Sequence, residues 1–443
     1  MSSGGGSVDD SAHDEEGDDE SRRAARVRRL ERNLGLLGCF RALQMALFPV
    51  AIVTLFLTDT IDLTMQDVFV LQGAFGLTTA LLEFPGGTIS DRIGYRRSLL
   101  AACVIAVVGW SIYAGATSFA TVLVAQVILA MSLALISGTD AALLYESLLE
   151  LDREGEFTQW HGRVRSFGAV AEGTAALAAG VLYAWWARLP FLVEIAAWVA
   201  NGVLAYLLIE PLRPQGEPLR PVARVIAILH YAMVRVPKLR ASIVTVVLFG
   251  MMGFVPVWII AVYAKKAGVE EAWIGPMWAV ANYAVAIGSS LSGRAERTLG
   301  FWWALVGGAL VFGVEYAGLG FSTATFGFTF YYAICSARGV VQPILNHLQQ
   351  RLIPSSDRAT LLSLNSLTFR ALFASLSGLI GAALDREGEH TVLLVAGSIL
   401  VPLVLISLAW LRVSRQVEIP RAIAPARPSR RDGSPPSPAS PEE

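Results

Sequence analysis

Twelve apolar runs of about twenty residues each, separated by short polar links, leave this chain one solvent to fold in, the hydrocarbon of a lipid bilayer. A bilayer core about 30 Å thick takes a helix of about 20 apolar residues. The runs fall at 34–57, 68–89, 98–116, 121–145, 167–186 and 190–209, then at 243–263, 273–292, 302–319, 326–345, 361–384 and 392–411. Composition agrees. Of the 443 residues, 54% are hydrophobic and 16% charged, where a soluble domain carries about 25% charged. The expected fold class is an all-α membrane protein with twelve transmembrane helices.

Lysine and arginine orient the runs, because basic links stay on the cytoplasmic side. Arg188, Lys265, Lys266 and Arg386 sit in odd-numbered links, and Arg41, Arg338 and Arg370 fall inside runs. Every other Lys and Arg lies in an even-numbered link or a tail. Both termini are therefore expected in the cytoplasm, and the number of crossings is even. The polar leader before the first run speaks against a cleaved signal peptide.

The chain divides around one long link. Residues 33–210 and 242–412 form two six-helix bundles. Residues 211–241 form a cytoplasmic linker, in which Val222, Val225, Ile226, Leu229 and Met233 recur at the spacing of an interfacial helix. Residues 1–32 read as a disordered tail, acidic and then basic, and residues 413–443, rich in Pro and Ser, as a second disordered tail. The halves repeat one another. Gly87 and Gly94 follow the second run of the first half, and Gly293 and Gly300, equally spaced, follow the second run of the other half. Pro49 and Pro256 hold matching places in the two first runs. Repeats with a site between them are a common transporter plan.

The link "GGTISDRIGYRRSL" concentrates Gly87, Asp91, Arg92, Gly94, Arg96 and Arg97. It resembles the loop between the second and third spans of the major facilitator superfamily, with Gly, three residues, Asp-Arg, one residue, Gly and then basic residues. "LLEFPGG", "SGTDAALLYESL" and the segment from Arg338 to Leu364 are similar to bacterial members described as drug or multidrug exporters. The resemblance covers roughly residues 34–411. It implies two pseudo-symmetric bundles in a bacterial cytoplasmic membrane, and proton-coupled export of small organic compounds. It also implies that Asp91 meets the start of the eleventh span near Ala359, as a gating latch. On this reading Gly87 lets helices approach and Gly94 permits a tight turn. Two features depart from the exporters: the fourth run has no arginine, and the fifth, "FGAVAEGTAALAAGVLYAWW", has no proline. Coupled uptake of an organic solute stays open as the alternative.

Charge inside a bilayer is costly, so it is paired, hydrated or functional. Arg41, Glu83, Asp140 and Glu172 lie in the first half's runs, and Arg338 and Arg370 in the second's. These six are the candidates for coupling or substrate contact. One arginine among three carboxylates predicts a network in the first half, and the two later arginines suit an anionic or zwitterionic substrate group. Structural ion pairing explains the same positions equally well. Glu194 and Glu315, toward the outer ends of the sixth and ninth runs, are expected at a cavity mouth or an interface. Gly173, Ala176 and Gly180 suit close helix packing.

An enzyme is not expected. The five histidines lie in tails, links and run ends, and no HExxH, G-x-S-x-G or nucleotide-binding P-loop occurs. Cys39, Cys103 and Cys335 lack metal-ligand spacing, so neither metal nor cofactor is expected. A net charge of -1 gives no basic field for nucleic acid. The expected partners are the lipid bilayer, a small-molecule substrate and protons, with the protein working as a monomer.

Overall fold

A computed structural model describes residues 9–212, 236–322, 325–352 and 358–414. Most of the linker, including its expected interfacial helix, and nearly all of the C-terminal tail lie outside the described residues. Among those described there are thirteen α-helices and no strand.

Helix α1 spans Asp9–Met45. The leader expected to be disordered is therefore helical from Asp9 onward. The reason is anchoring along its basic stretch. The Arg26 guanidinium pairs with the Glu150 carboxylate and donates to the Glu210 carbonyl. Arg32 donates to the Leu207 carbonyl at 3.1 Å. Asn33 donates to the Ile209 carbonyl at 2.9 Å and accepts from the Ile209 N–H at 3.1 Å.

Beyond Met45 the chain leaves helical geometry around Pro49, then forms α2 (Val53–Leu55) and a π turn, Phe56–Thr60. Proline removes a donor, and such a break frees neighbouring backbone groups. The Phe48 N–H finds Glu194 Oε2 at 3.1 Å, and Trp198 Nε1 donates to Oε1 of the same carboxylate at 2.9 Å. Glu194 is wholly buried and holds the break together. It is not the cavity-mouth residue expected. Pro256, the matching proline, stays inside an unbroken helix.

The first half continues with α3 (Met65–Ile93), α4 (Tyr95–Ala114), α5 (Phe119–Ile136), α6 (Thr139–Glu150), α7 (Phe157–Trp185) and α8 (Leu189–Leu207). The expected fourth span is split into α5 and α6 at Ser137 and Gly138, the glycine having φ 82°. The second half holds α9 (Pro237–Lys266), α10 (Glu271–Leu299), α11 (Phe301–Phe321), α12 (Phe328–Leu352) and α13 (Arg358–Val413). The 56 residues of α13 would reach about 84 Å if straight, far more than one bilayer. The chain turns instead at Gly388, φ 78°, which separates the last two expected spans.

Among the described residues eight stretches are long and apolar enough to cross a membrane on composition alone, and one of them is the 50-residue Leu364–Val413. The expected crossings at 34–57, 273–292 and 326–345 fall outside these eight. The first is broken at Pro49, and the other two carry polar residues, Asn282, Ser289 and Ser290 in one and Arg338 and Gln342 in the other. The repeat survives in backbone form. Gly94 (φ 102°) and Gly300 (φ 77°) make the same abrupt turn between consecutive helices in the two halves, a conformation that side chains other than glycine's resist.

Two seams join the halves, α3 against α13 and α7 against α10. Small residues set the second. A Cβ on Gly180 would come 2.5 Å from the Glu271 carbonyl oxygen, and one on Gly275 would come 2.1 Å from that of Ala176. The packing role expected for Gly180 is thus met by a partner glycine in the other half, whereas Gly173 has space around it.

Candidate functional site

The charged side chains of the apolar runs fall into two groups. Arg41 on α1 lies 3.8 Å from an Asp140 oxygen and donates to Gln44 Oε1 at 2.9 Å. Asp140 occupies the first turn of α6, which the Gly138 break brings inward, and its Oδ1 accepts from the Ala141 N–H. Glu172 on α7 is within electrostatic range of Arg41 in its own half and Arg338 in the other. Three of the six expected residues are therefore grouped in the first half, within electrostatic range of a fourth in the second.

Glu83 does not join that group. Its carboxylate accepts from Ser137 Oγ at 3.0 Å and lies within electrostatic range of Arg370. Arg370 on α13 reaches across the first seam to the Gly76 carbonyl at 3.4 Å and donates to Ser366 Oγ at 3.1 Å. The one-arginine, three-carboxylate network expected within the first half is thus divided. Two carboxylates stay with Arg41, and Glu83 serves the other half's arginine. The geometric cause is the helical break at Ser137, which turns its hydroxyl toward α3.

All three arginine stems lie on glycines. Arg41 packs on Gly168, Arg338 on Gly253 and Arg370 on Gly76. A Cβ at Gly253 would stand 2.7 Å from Arg338 Cδ, so the bare backbone makes room for the guanidinium to approach the centre. Beside Arg338 is a cavity of about 610 Å³ between α10 and α12, lined by Val285, Ser289, Gln342, Asn346 and His347 among others. Gln342 donates to Asn346 at 3.1 Å. The wall is therefore mixed, with hydrogen-bonding groups on an apolar surface, the usual character of a small-molecule site.

On the arginine-rich face, one of the two glycine roles expected of the Gly87–Arg97 motif moves by one residue. The close approach belongs to Gly86, where a Cβ would lie 2.5 Å from the Ala134 carbonyl oxygen, while Gly87 has open space. Gly94 makes the tight turn as expected. Glu210, just past α8, lies against it and accepts from the first N–H groups of α4, Tyr95 at 2.7 Å and Arg96 at 2.8 Å. A carboxylate there satisfies orphan donors and meets the positive end of the helix dipole. The Arg96 side chain donates to the Tyr206 carbonyl at 2.7 Å and lies over the Tyr206 ring. Asp91, Arg92 and Arg97 are exposed. The Ala359 side chain, expected opposite Asp91, lies outside the described residues.

The arginine-poor face is closed by contacts between the halves. Asp385 on α13 accepts from Met65 N–H at 2.9 Å and from Gln66 N–H at 2.8 Å, at the start of α3. Lys265 on α9 pairs with Asp59 beside α2. Sequence reasoning singled out neither Asp385 nor Glu210. Each is an acid beside a chain reversal, and its target is a helix start more than a hundred residues away.

The family model of the Major Facilitator Superfamily matches residues 34–378. Solved structures share the fold. A point mutant of the nucleoside transporter NupG superposes with TM-score 0.74 at 10% identity, over 86% of this chain and 99% of that one. A bacterial homolog of the human lysosomal transporter Spinster gives 0.71 at 15% identity, over 87% and 97%. A POT family transporter in complex with 5-aminolevulinic acid gives 0.68 at 13% identity, over 86% and 96%. Among curated proteins no significant match is found.

Proposed function

Because the chain belongs to the Major Facilitator Superfamily, we propose that it is a secondary active transporter that works by alternating access and exports small organic or drug-like compounds in exchange for protons. The observation that carries this reading is the group of opposed charges drawn from both halves. Arg41, Asp140 and Glu172 come from one half and Arg338 from the other, beside a cavity of about 610 Å³. Charges inside the spans of two separately packed halves change partners when the halves rock, which links their occupancy to the side that is open. Asp140 and Glu172 are the proton carriers in this reading, and Arg338 holds an anionic or zwitterionic group of the solute. The arginine-rich face is cytoplasmic, with both termini there. The Asp91 motif is a latch on that face, and the protein acts as a monomer in a bacterial cytoplasmic membrane. The exporter-like segments "LLEFPGG" and "SGTDAALLYESL" support the outward direction. No chemical step is required of the chain.

The test is transport in proteoliposomes under an imposed pH gradient, with a solute panel that includes drug-like cations, nucleosides, short peptides and amino acids. The expected result is movement of an amphipathic solute against the proton flow, abolished by Asp140→Asn or Glu172→Gln. Unchanged pH-driven flux in both variants rejects the proton role. Solute moving with the protons makes the protein an uptake system instead.

A further inference from the structure

Glu315, on α11 in the second half, is only 3% exposed, and both its carboxyl oxygens are without a hydrogen-bond partner among the described residues. It was expected at a cavity mouth or an interface, but the structure buries it within the bundle. The neighbouring Tyr316 hydroxyl turns away and donates to the Met252 carbonyl on α9. On α12 Cys335 lies within electrostatic range of both Glu315 and Arg338, and Tyr331 shares a hydrogen bond with that thiol. The packed segment of α13, residues 392–411, carries no ionisable side chain. Its Val401 and Leu394 fill the space beside Gly313 and Gly320. His390, further toward the arginine-poor face, is 3.1 Å from the Gly320 carbonyl oxygen.

An ionised carboxylate with no donor in a dry interior is strongly disfavoured. A metal ion would demand several more oxygen ligands, and the neighbours offer a thiol, a phenol and hydrocarbon. We propose that Glu315 is a proton-binding site of the second half, separate from the cavity beside Arg338 and read out by Arg338 through Cys335, one helical turn away on α12. In the resting state of this proposal Arg338 interacts with Glu172 of the other half, within whose electrostatic range it lies, and Glu315 holds its proton. When the halves separate at that point, the Glu315 O–H bond breaks, the proton passes to cavity water, and the guanidinium turns to the carboxylate left behind. The halves' separation and proton release are then one event. This deepens the transport reading above and rests on it for the coupling step.

Two measurements on the full-length protein in liposomes test this. The first is infrared difference spectroscopy on a pH change with no solute present. A component of the buried carboxylic-acid carbonyl band is expected in the wild type that is lost in the isosteric Glu315→Gln, displaced in Glu315→Asp and retained in Glu172→Gln, which loses only its own component. A band unchanged in Glu315→Gln overturns the proton site. The second is the pH dependence of a spin-label distance between the arginine-poor ends of α3 and α13. The wild type is expected to respond to pH and Glu315→Gln to lose the response. An equal response in both overturns the coupling to Arg338. A wild type without any response defeats coupled transport itself, and the coupling step with it, while the infrared result still decides whether Glu315 binds the proton.

Discussion

Asp385 and Gln66, more than three hundred positions apart, meet at 2.8 Å, the aspartate accepting the backbone N–H at the start of α3. The sequence motif pointed to an aspartate at the end of α3 meeting the start of α13. The structure shows the reciprocal contact at the opposite face, an aspartate of α13 meeting the start of α3. A carboxylate at a helix start contributes about 1 kcal/mol when solvent reaches it, a roughly fivefold bias. Asp385→Ala should therefore shift the population toward states open at the arginine-poor face by about that factor. A membrane-impermeant thiol reagent and a reporter cysteine on the cavity side of that seal measure the shift. Labelling no faster than in the parent protein would count against a sealing role.

Adjacent glycines should behave oppositely. Gly86→Ala drives a Cβ into the Ala134 backbone and forces α3 away from α5, which overpacking data place at about 1–3 kcal/mol of lost stability. Gly87→Ala meets nothing within 4 Å and removes a flexible residue from a helix, a gain of roughly 0.5–1 kcal/mol. Thermal unfolding of the two variants in detergent separates them, and equal destabilisation would show that Gly87 also packs.

Glu210 should be worth more to stability than its place in a link suggests. Glu210→Ala leaves the Tyr95 and Arg96 N–H groups without their acceptor and removes a charge from the α4 dipole, at a cost of about 1–2 kcal/mol. Glu210→Gln, which keeps an acceptor oxygen, should lose less. Chemical denaturation reads both. A glutamine variant as weak as the alanine would assign the whole effect to charge.

The link at Gly388 predicts one pH dependence. Burial by itself raises the Glu389 carboxyl. The Lys266 ammonium bonded to it, with the residue's own backbone and His390, outweighs burial and holds the group below its ordinary value of 4.5. A group depressed in the folded state contributes stability that is present above the unfolded value and is lost as pH falls through the folded one. Stability should thus hold down to about pH 4.5 and decline below it, and Lys266→Gln should remove that part of the acid slope. An identical slope in the variant would place the acid sensitivity elsewhere.

The sequence alone determined the solvent, the arrangement of apolar runs and the repeat. Each follows from quantities carried by consecutive residues: hydropathy over about 20 positions, the alternation of basic links, and a glycine spacing that returns as positive φ at both Gly94 and Gly300. It also brought forward Arg41, Asp140, Glu172 and Arg338, because charge in an apolar run stands out without any structure. Only the tertiary structure decided which carboxylate faces which guanidinium. It paired Glu83 with the region of Arg370, gave the close approach to Gly86 instead of Gly87, turned Glu194 to the broken backbone at Phe48, and left Glu315 alone. Those outcomes depend on how each helix is rotated about its axis and how the two seams align. A rotation of one residue, about 100°, moves a side chain from cavity to core, and hydropathy, summed over a whole run, does not register it.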